Sequence, residues 1–372
     1  MTSIIYVGMD VHTTNYTLCC YSMEDDRFFA EVQVEPDAKN ILKYLARIEK
    51  QQSRDCRIVC GYEAGCLGYS LYHQLHAHGI DCVILAPTTM MTKPGKRIKT
   101  DRRDARLISK CLAFHTYSPV YIPTEVDDAV KEYIRMRDDA NSALARVKQQ
   151  IIAFCIRHGK IHDGKSYWTN KHLEWLSSLD LGNKILSEVL QEYLIRYYQL
   201  REQVDMYDMR INELAQAEPY RQKVEKLGCF RGIAAHTALS FCVEVGDFRR
   251  FATAQQFASY LGLVPGECSS GDKQQYTGIT KAGSSHLRKL LVETAQVFGR
   301  SATKSGKSVA FKERQAKCDS LTVAYADKAN ARLKKKYFKI AMRSKVNIAK
   351  TAVAREMACF IWGMMTDNIS CA

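Results

Sequence analysis

Between Leu186 and Leu214 a row of apolar and aromatic residues, Leu186, Leu190, Tyr193, Tyr197, Leu200, Val204, Tyr207, Ile211 and Leu214, recurs at alternating spacings of four and three. This heptad seam keeps one edge of a helix apolar over roughly 43 Å, at 1.5 Å of rise per residue. Such an edge is driven out of water, so the helix must close on a partner. One candidate lies in the same chain, where Leu144, Val147, Ile151 and Phe154 keep the 3-4 spacing of another helix. The other is a second copy of the chain, and the spacing does not choose between them. His158 to Thr169, rich in Gly, His, Lys and Ser, reads as the connecting loop. A long helical coiled-coil region is therefore expected over 123–222.

Ahead of the seam the periodicity is different. SIIYVGMDVH (3–12), NYTLCCYS (15–22) and RFFAEVQV (27–34) are β-rich runs separated by polar residues. A helical stretch around Ala38 to Glu49 follows, then a strand RIVCGYE (57–63), a helix around Leu67 to His78 and a strand CVILAP (82–87). Three strands followed by helix, strand, helix and strand imply a mixed sheet covered by helices, an α/β domain over 1–122. That order suits a ribonuclease-H-like domain and also the actin/hexokinase type of fold. Beyond the seam, 223–372 reads as a mainly α unit. Its short helices are punctuated by Gly228, Gly232, Gly246, Gly262 and Gly266, and its tail from Ala302 is helical and basic. Glycine turns between short helices let backbone amides approach a phosphate closely.

The 372 residues carry 54 Lys+Arg against 40 Asp+Glu, a net charge of +14. Most of that excess lies between residues 300 and 350, which hold 15 basic and 3 acidic side chains. Such a surface is expected where a chain meets phosphate, although a solvated helix face or an acidic protein partner accounts for it too. The N-terminus, MTSIIYVGMDVHTTNYTL, has no basic leader, long apolar run or small-residue cleavage site. The apolar stretch 352–365 is too short to span a bilayer and is broken by Arg355 and Glu356. No membrane association and a cytoplasmic location are expected. The 14 cysteines are scattered from Cys19 to Cys371 without a CxxC pair, so they read as reduced and mostly buried thiols. Cys56 and Cys60 with a distant histidine are the one arrangement that leaves a zinc site open.

Four acids stand out by where they fall. Asp10 closes the apolar strand IIYVGMD and Glu63 closes IVCGYE. A buried uncompensated carboxylate is costly, so acids at strand ends favour a hydrated edge or a bound cation. Asp101 and Asp104 lie three apart in KTDRRDARLIS, at the start of an amphipathic helix, where both face the same way. Oxygen ligands from two strand ends and one helix suit Mg²⁺ or Mn²⁺, and the want of a thiolate or imidazole partner argues against zinc. A pair of such ions activates a nucleophile and stabilises a leaving oxygen in phosphodiester cleavage. Singly, each acid reads as well as a helix N-terminal charge or a turn cap. Lys99, Arg102 and Arg103 beside the acids would hold phosphate near the ions.

The stretch GLVPGECSSGDKQQYTGITKAGSSHLRKLLVETA (261–295) sets two serines before a glycine, then a polar loop, then a helix opening at Gly283, Ser284 and Ser285. Lys281 precedes that helix and Arg288 and Lys289 lie one turn in. A serine in such a loop, facing a helix N-terminus and cations, can attack a phosphodiester whose developing charge those donors stabilise. An ordinary polar turn with a serine N-cap fits the composition as well.

GMD at Asp10, YEA at Glu63, KTDRRDA at Asp101 and Asp104, then RFATAQQFASYLGLVP, SSG and GITKAGSSHLRKLLVETA form an ordered set. The set resembles the DEDD-type transposases of the insertion sequence 110 family and its 1111 subgroup, which are related to the pilin-gene-inverting recombinases. The resemblance implies a RuvC-like fold for the first domain, with the family's four acids at Asp10, Glu63, Asp101 and Asp104 around Mg²⁺ or Mn²⁺. It puts the family's nucleophilic serine at Ser270, with Ser269 as the alternative. It further implies phosphoserine links to donor and target DNA, pairing of the two DNAs through a structured non-coding guide RNA, and homodimers or homotetramers joined by coiled coils. Lys281, Arg288 and the run Lys334, Lys335, Lys336 are then the expected nucleic-acid contacts of the C-terminal unit. The family's LPGIG-like hairpin is replaced here by Leu227, Gly228, Cys229, Phe230, Arg231, Gly232 and Ile233.

Overall fold

The computed structural model describes residues 3–52, 56–65, 67–90, 100–267, 276–300 and 306–369. The chain divides into two compact units, Met1–Ile122 and Pro123–Ala372.

The first unit is built on β1 (Ser3–Val11), β2 (Tyr16–Ser22), β3 (Arg27–Val34), β4 (Cys56–Glu63) and β5 (Asp81–Leu85). They form one mixed sheet in the order β3-β2-β1-β4-β5, antiparallel from β1 to β3 and parallel from β1 to β5. β1 is central and buried on both faces, as its near-continuous apolar run requires. Ile5, Val7 and Met9 alternate onto the face covered by α1 (Ala38–Gln51) and α2 (Ser70–Ala77), where they pack with Ile41, Leu45, Ile48, Leu71 and Leu75. Tyr6, with Tyr21 and Leu85, turns to the other face and meets Ile108 and Leu112 of α3 (Asp101–Ala113). Each of these aliphatic side chains contributes roughly 1.5–3 kcal/mol by leaving water. Asp37 caps α1 by accepting from the Lys39 amide at 2.8 Å.

The second unit opens with two 33-residue helices, α4 (Glu125–Arg157) and α6 (Lys184–Gln216), joined through α5 (Asn170–Ser177). The long helices run antiparallel, since Tyr133 meets Tyr207 near one end and Phe154 meets Tyr193 near the other. Arg137 locks the register with two hydrogen bonds to Asp208, at 2.7 and 3.0 Å. Leu190, Tyr197, Val204 and Ile211 of the seam are buried, three of them with Leu144, Val147 and Ile151 of α4 or with Leu173 and Leu176 of α5. Ile211 packs nearer the other end, with Val130 and Ile134. The apolar edge of α6 thus closes within the chain.

The rest of this unit is one helical core. It comprises α7 (Arg221–Gly228), α8 (Ala235–Val245), α9 (Ala254–Tyr260), the hairpin of β6 (Pro265–Glu267) and β7 (Tyr276–Ile279), and α10 (Ser285–Arg300). The basic tail adds α11 (Val309–Gln315), α12 (Ser320–Ala341) and α13 (Val346–Met365). Two of the five glycines expected in turns lie elsewhere, Gly228 as the last residue of α7 and Gly266 in β6. The tail is not an appendage, because its buried Gln315 and Asn330 both donate to the Cys229 carbonyl, and Asn330 accepts from the Arg231 amide at 2.9 Å. The LGCFRG turn therefore gives polar backbone groups to α11 and α12. Among the described residues no helix is long and apolar enough to cross a membrane, and the described cysteines are all free thiols, eight of them buried.

Candidate active site

Asp10 and Glu63 stand at the carboxyl ends of β1 and β4, and Asp101 comes up beside Asp10. In an open α/β sheet that edge is where a crevice forms and ligands bind. β1 and β4 pair in parallel through Met9↔Tyr62, so Asp10 and Glu63 follow one residue later on adjacent strands. The third element arrives because of Gly8. A Cβ there would run into the Ala105 carbonyl and the Ser109 amide, so only glycine lets α3 lie against β1. With Ala105 seated on the strand, Asp101 and Asp104 open the helix beside Asp10, both half-buried, while Arg102 and Arg103 are exposed.

Donor atoms of Asp10, His12 and Asp101 all lie within 4.8 Å of one another. Burial pushes the Asp10 carboxyl up, His12 opposes that, and the negative charges of Asp104 and Asp101 push it the same way as burial. A carboxyl raised by burial and by the negative charges beside it is one that a divalent cation relieves. The donor set fits such an ion. Asp104 acts on Asp10 through its charge rather than as part of the tight group, and Glu63 is exposed at its strand end.

The expectation that no imidazole accompanies the acids is corrected by His12, whose Nε2 lies 3.3 Å from Asp10 Oδ2. The signal was available, since His12 stands two positions after Asp10, just past the strand end. Of the cations expected to hold phosphate here, Arg102 sits 3.2 Å from Glu31 of β3, which also takes Arg106 at 2.7 Å. Arg103 is exposed, and Lys99 lies outside the described residues.

Ser269 and Ser270 fall in 268–275, also outside the described residues. The segment that carries them is closed at its base. Gly262 and Gly283 both have left-handed backbones, and a Cβ on either would strike backbone of the opposite limb. The Lys281 amide donates to the Gly262 carbonyl at 3.1 Å and the Thr280 amide to Val264 at 2.9 Å. Arg288, expected at phosphate, directs Nη1 to the carbonyls of Leu261 and Ala282, at 3.0 and 3.1 Å. Lys281 is exposed. In the tail, Lys335 is exposed, whereas Lys334 and Lys336 are half-buried and Lys336 is 2.6 Å from Glu356 of α13.

One polar cluster of this unit escaped the sequence reading. His286, in the first turn of α10, bonds Glu244 of α8 through Nδ1 and Asp138 of α4 through Nε2 at 2.8 Å. Ser284 donates to Glu244 at 2.8 Å and accepts from the Leu287 amide, and His236 lies 2.9 Å from Asp138. Burial opposes the charge on His286, but its two carboxylate partners hold it up at about 9. Asp138 and Glu244, despite burial, are held below the usual carboxylate range by the histidines and, at Asp138, by Arg137. The cluster staples α4, α8 and the start of α10 together. Its members are scattered too widely along the chain for any local pattern to join them.

The chain has relatives among known proteins. Residues 7–156 match a family model described as a transposase of the DEDD, IS110 type, and residues 225–313 match one described as the transposase IS116/IS110/IS902 family. The chain is 32% identical over 340 residues to the transposase for insertion sequence element IS1533 of Leptospira borgpetersenii, covering 90% of this chain and 95% of the relative. It is 35% identical over 307 residues to the y4qE protein of Sinorhizobium fredii, covering 82% and 75%. To the transposase for insertion sequence element IS1111A of Coxiella burnetii it is 25% identical over 268 residues, covering 68% and 71%. The chain belongs to the IS110 family of transposases. It is an enzyme of DNA recombination that cleaves DNA and transfers strands, and the DEDD type implies a divalent metal.

Proposed function

We propose that this transposase recombines DNA through a serine nucleophile, Ser270, working with a metal centre held by Asp10, Glu63, Asp101 and Asp104. The observation that carries the reading is the convergence of Asp10 and Asp101 where β1, β4 and α3 meet, in a chain whose second family match spans the approaches to Ser270. Mg²⁺ or Mn²⁺ bound there would draw charge from a phosphodiester and from the departing oxygen. The chain's own groups divide the remaining work. The Ser270 hydroxyl gives up its proton and its oxygen bonds phosphorus, while a deoxyribose oxygen leaves as a hydroxyl. The reverse attack by a hydroxyl of another strand frees the serine and completes exchange. Exposed Lys281 and Arg103 hold backbone phosphate.

In this reading the first unit is RuvC-like, the α4–α6 pair is the family's coiled coil and 223–372 the transposase domain. The DNAs are paired by a structured guide RNA encoded with the element, at the nucleoid. The protein works as a homodimer or homotetramer. Ile185, Ile195, Tyr198, Met206 and Met209 of α6 stay exposed, an apolar row suited to a second copy. Ser270→Ala is expected to abolish the protein–DNA covalent adduct and strand exchange while DNA binding persists, read by denaturing gel and mobility shift. Persistent recombination by that variant rejects the serine. Mg²⁺-dependent hydrolysis of branched DNA with no adduct in the native protein leaves a RuvC-like nuclease instead.

A further inference from the structure

We propose that His12 is a further ligand of the cation held by Asp10 and Asp101, and that it biases this centre towards Mn²⁺ over Mg²⁺. The inference rests on the metal-centre reading above and adds to it a nitrogen donor that the four acids lack.

Geometry supports a shared ion. At metal–ligand distances of about 2.1 Å, donors on one octahedral ion stand about 3 Å apart when adjacent and about 4.2 Å apart when opposite. His12 Nε2 and Asp10 Oδ2 are 3.3 Å apart, and the Asp101 donor falls within 4.8 Å of both. The three atoms therefore fit one coordination sphere with little movement.

Local structure puts the ring there. His12 follows Asp10 by two positions, one residue past the end of β1, and its ring turns to the same side, with Nε2 3.3 Å from Asp10 Oδ2. The His12 amide donates to the Asn15 carbonyl at 3.0 Å, which fixes the turn into β2 and with it the root of the side chain. The imidazole is half-exposed, at a hydrated edge where an ion can enter.

Chemistry sets the consequence. Mg²⁺ takes carboxylate and water oxygens and dehydrates reluctantly, whereas imidazole suits later divalent metals, and affinities of mixed N/O sites rise from Mn²⁺ onwards. An imidazole in the sphere thus raises Mn²⁺ affinity with little gain for Mg²⁺. A histidine that only oriented Asp10 by a hydrogen bond would change both affinities alike.

The test loads the full-length protein with Mn²⁺ alone and reads electron spin-echo modulation, which detects a directly bound imidazole nitrogen. The native protein is expected to show the nitrogen signal, and His12→Ala and His12→Gln to lose it. Titration calorimetry should show Mn²⁺ binding weakened roughly tenfold or more in both variants, with Mg²⁺ binding changed less than about twofold. Native protein that binds Mn²⁺ without a nitrogen signal, or variants that keep it, overturns the role of His12 and leaves the acids in place. Mn²⁺ binding that is absent from the native protein, or unaffected by Asp10→Asn, overturns the metal centre itself. His12→Gln guards against a folding artefact, since it keeps the bulk of the side chain at a half-exposed position.

Discussion

His286 shows how a single ionisation can carry tertiary structure in this fold. Its two nitrogens both face carboxylates, so the protonated ring donates twice, while Arg137 and His236 complete the shell around Asp138. The value of about 9 lies above the ordinary 6.5, so the stabilisation is fully present below pH 6.5 and is lost as pH rises through 9. Asp138 and Glu244 are shifted downwards, so their contribution is present above the usual carboxylate range and fades on acidification. Melting temperature is therefore expected to be highest near pH 6 and to fall between pH 7 and 9. His286→Gln should melt lower at pH 6.5 and show a much flatter alkaline limb in a differential scanning fluorimetry series. Equal alkaline slopes in the two proteins would remove His286 as the cause. At the same scale, Asp10, Asp101 and Asp104 were legible because strand ends and an i, i+3 pair are local patterns. The histidine cluster was not, because a contact such as Asp138 to His286 joins positions 148 apart in sequence.

Among the elements, α12 shows why a run of lysines is a poor guide to a binding face. Consecutive residues on a helix point in directions about 100° apart, so Lys334, Lys335 and Lys336 cannot all address one strand of phosphate. Glu356 of α13 takes both Lys336 and Arg332. What remains exposed is a stripe of Lys328, Lys335 and Lys339, spread along roughly 16 Å of the helix at 1.5 Å per residue. Replacing these three by alanine is expected to weaken nucleic-acid binding and to lower the salt slope of log affinity by about 2.7, at 0.9 per duplex phosphate contact. Fluorescence anisotropy across a salt series measures it, and an unchanged slope would take α12 off the nucleic acid. The same distinction explains what was read correctly elsewhere. Apolar period marked α1 and α6 almost to their ends and the later part of α4, but the seam of α6 specified only that a partner was needed. Its partner became identifiable when Arg137 and Asp208 set the register.

Across the whole molecule, the two halves of the proposed chemistry belong to different compact units. Asp10, Glu63, Asp101 and Asp104 lie in Met1–Ile122, and Ser270 in Pro123–Ala372. Each unit supports its own half with local devices, Gly8 seating α3 beneath the acids and the paired glycines 262 and 283 closing the serine segment. Neither device refers to the other unit, so nothing in the local design requires acids and serine of the same chain to cooperate. In the proposed homodimer or homotetramer, each active centre would then draw its acids from one copy and its serine from another. This makes trans-complementation the informative experiment. Asp10→Asn and Ser270→Ala should each be inactive alone. In a one-to-one co-assembled dimer, half of the molecules pair unlike chains, and each of those holds one centre with both parts intact, so strand exchange should return to about a quarter of native activity. If acids and serine work within one chain, every mixed centre keeps a defect and the co-assembly stays as inactive as its parents. A mixture prepared without subunit exchange gives the baseline, and recovery above it assigns the acids and the serine of each centre to different subunits.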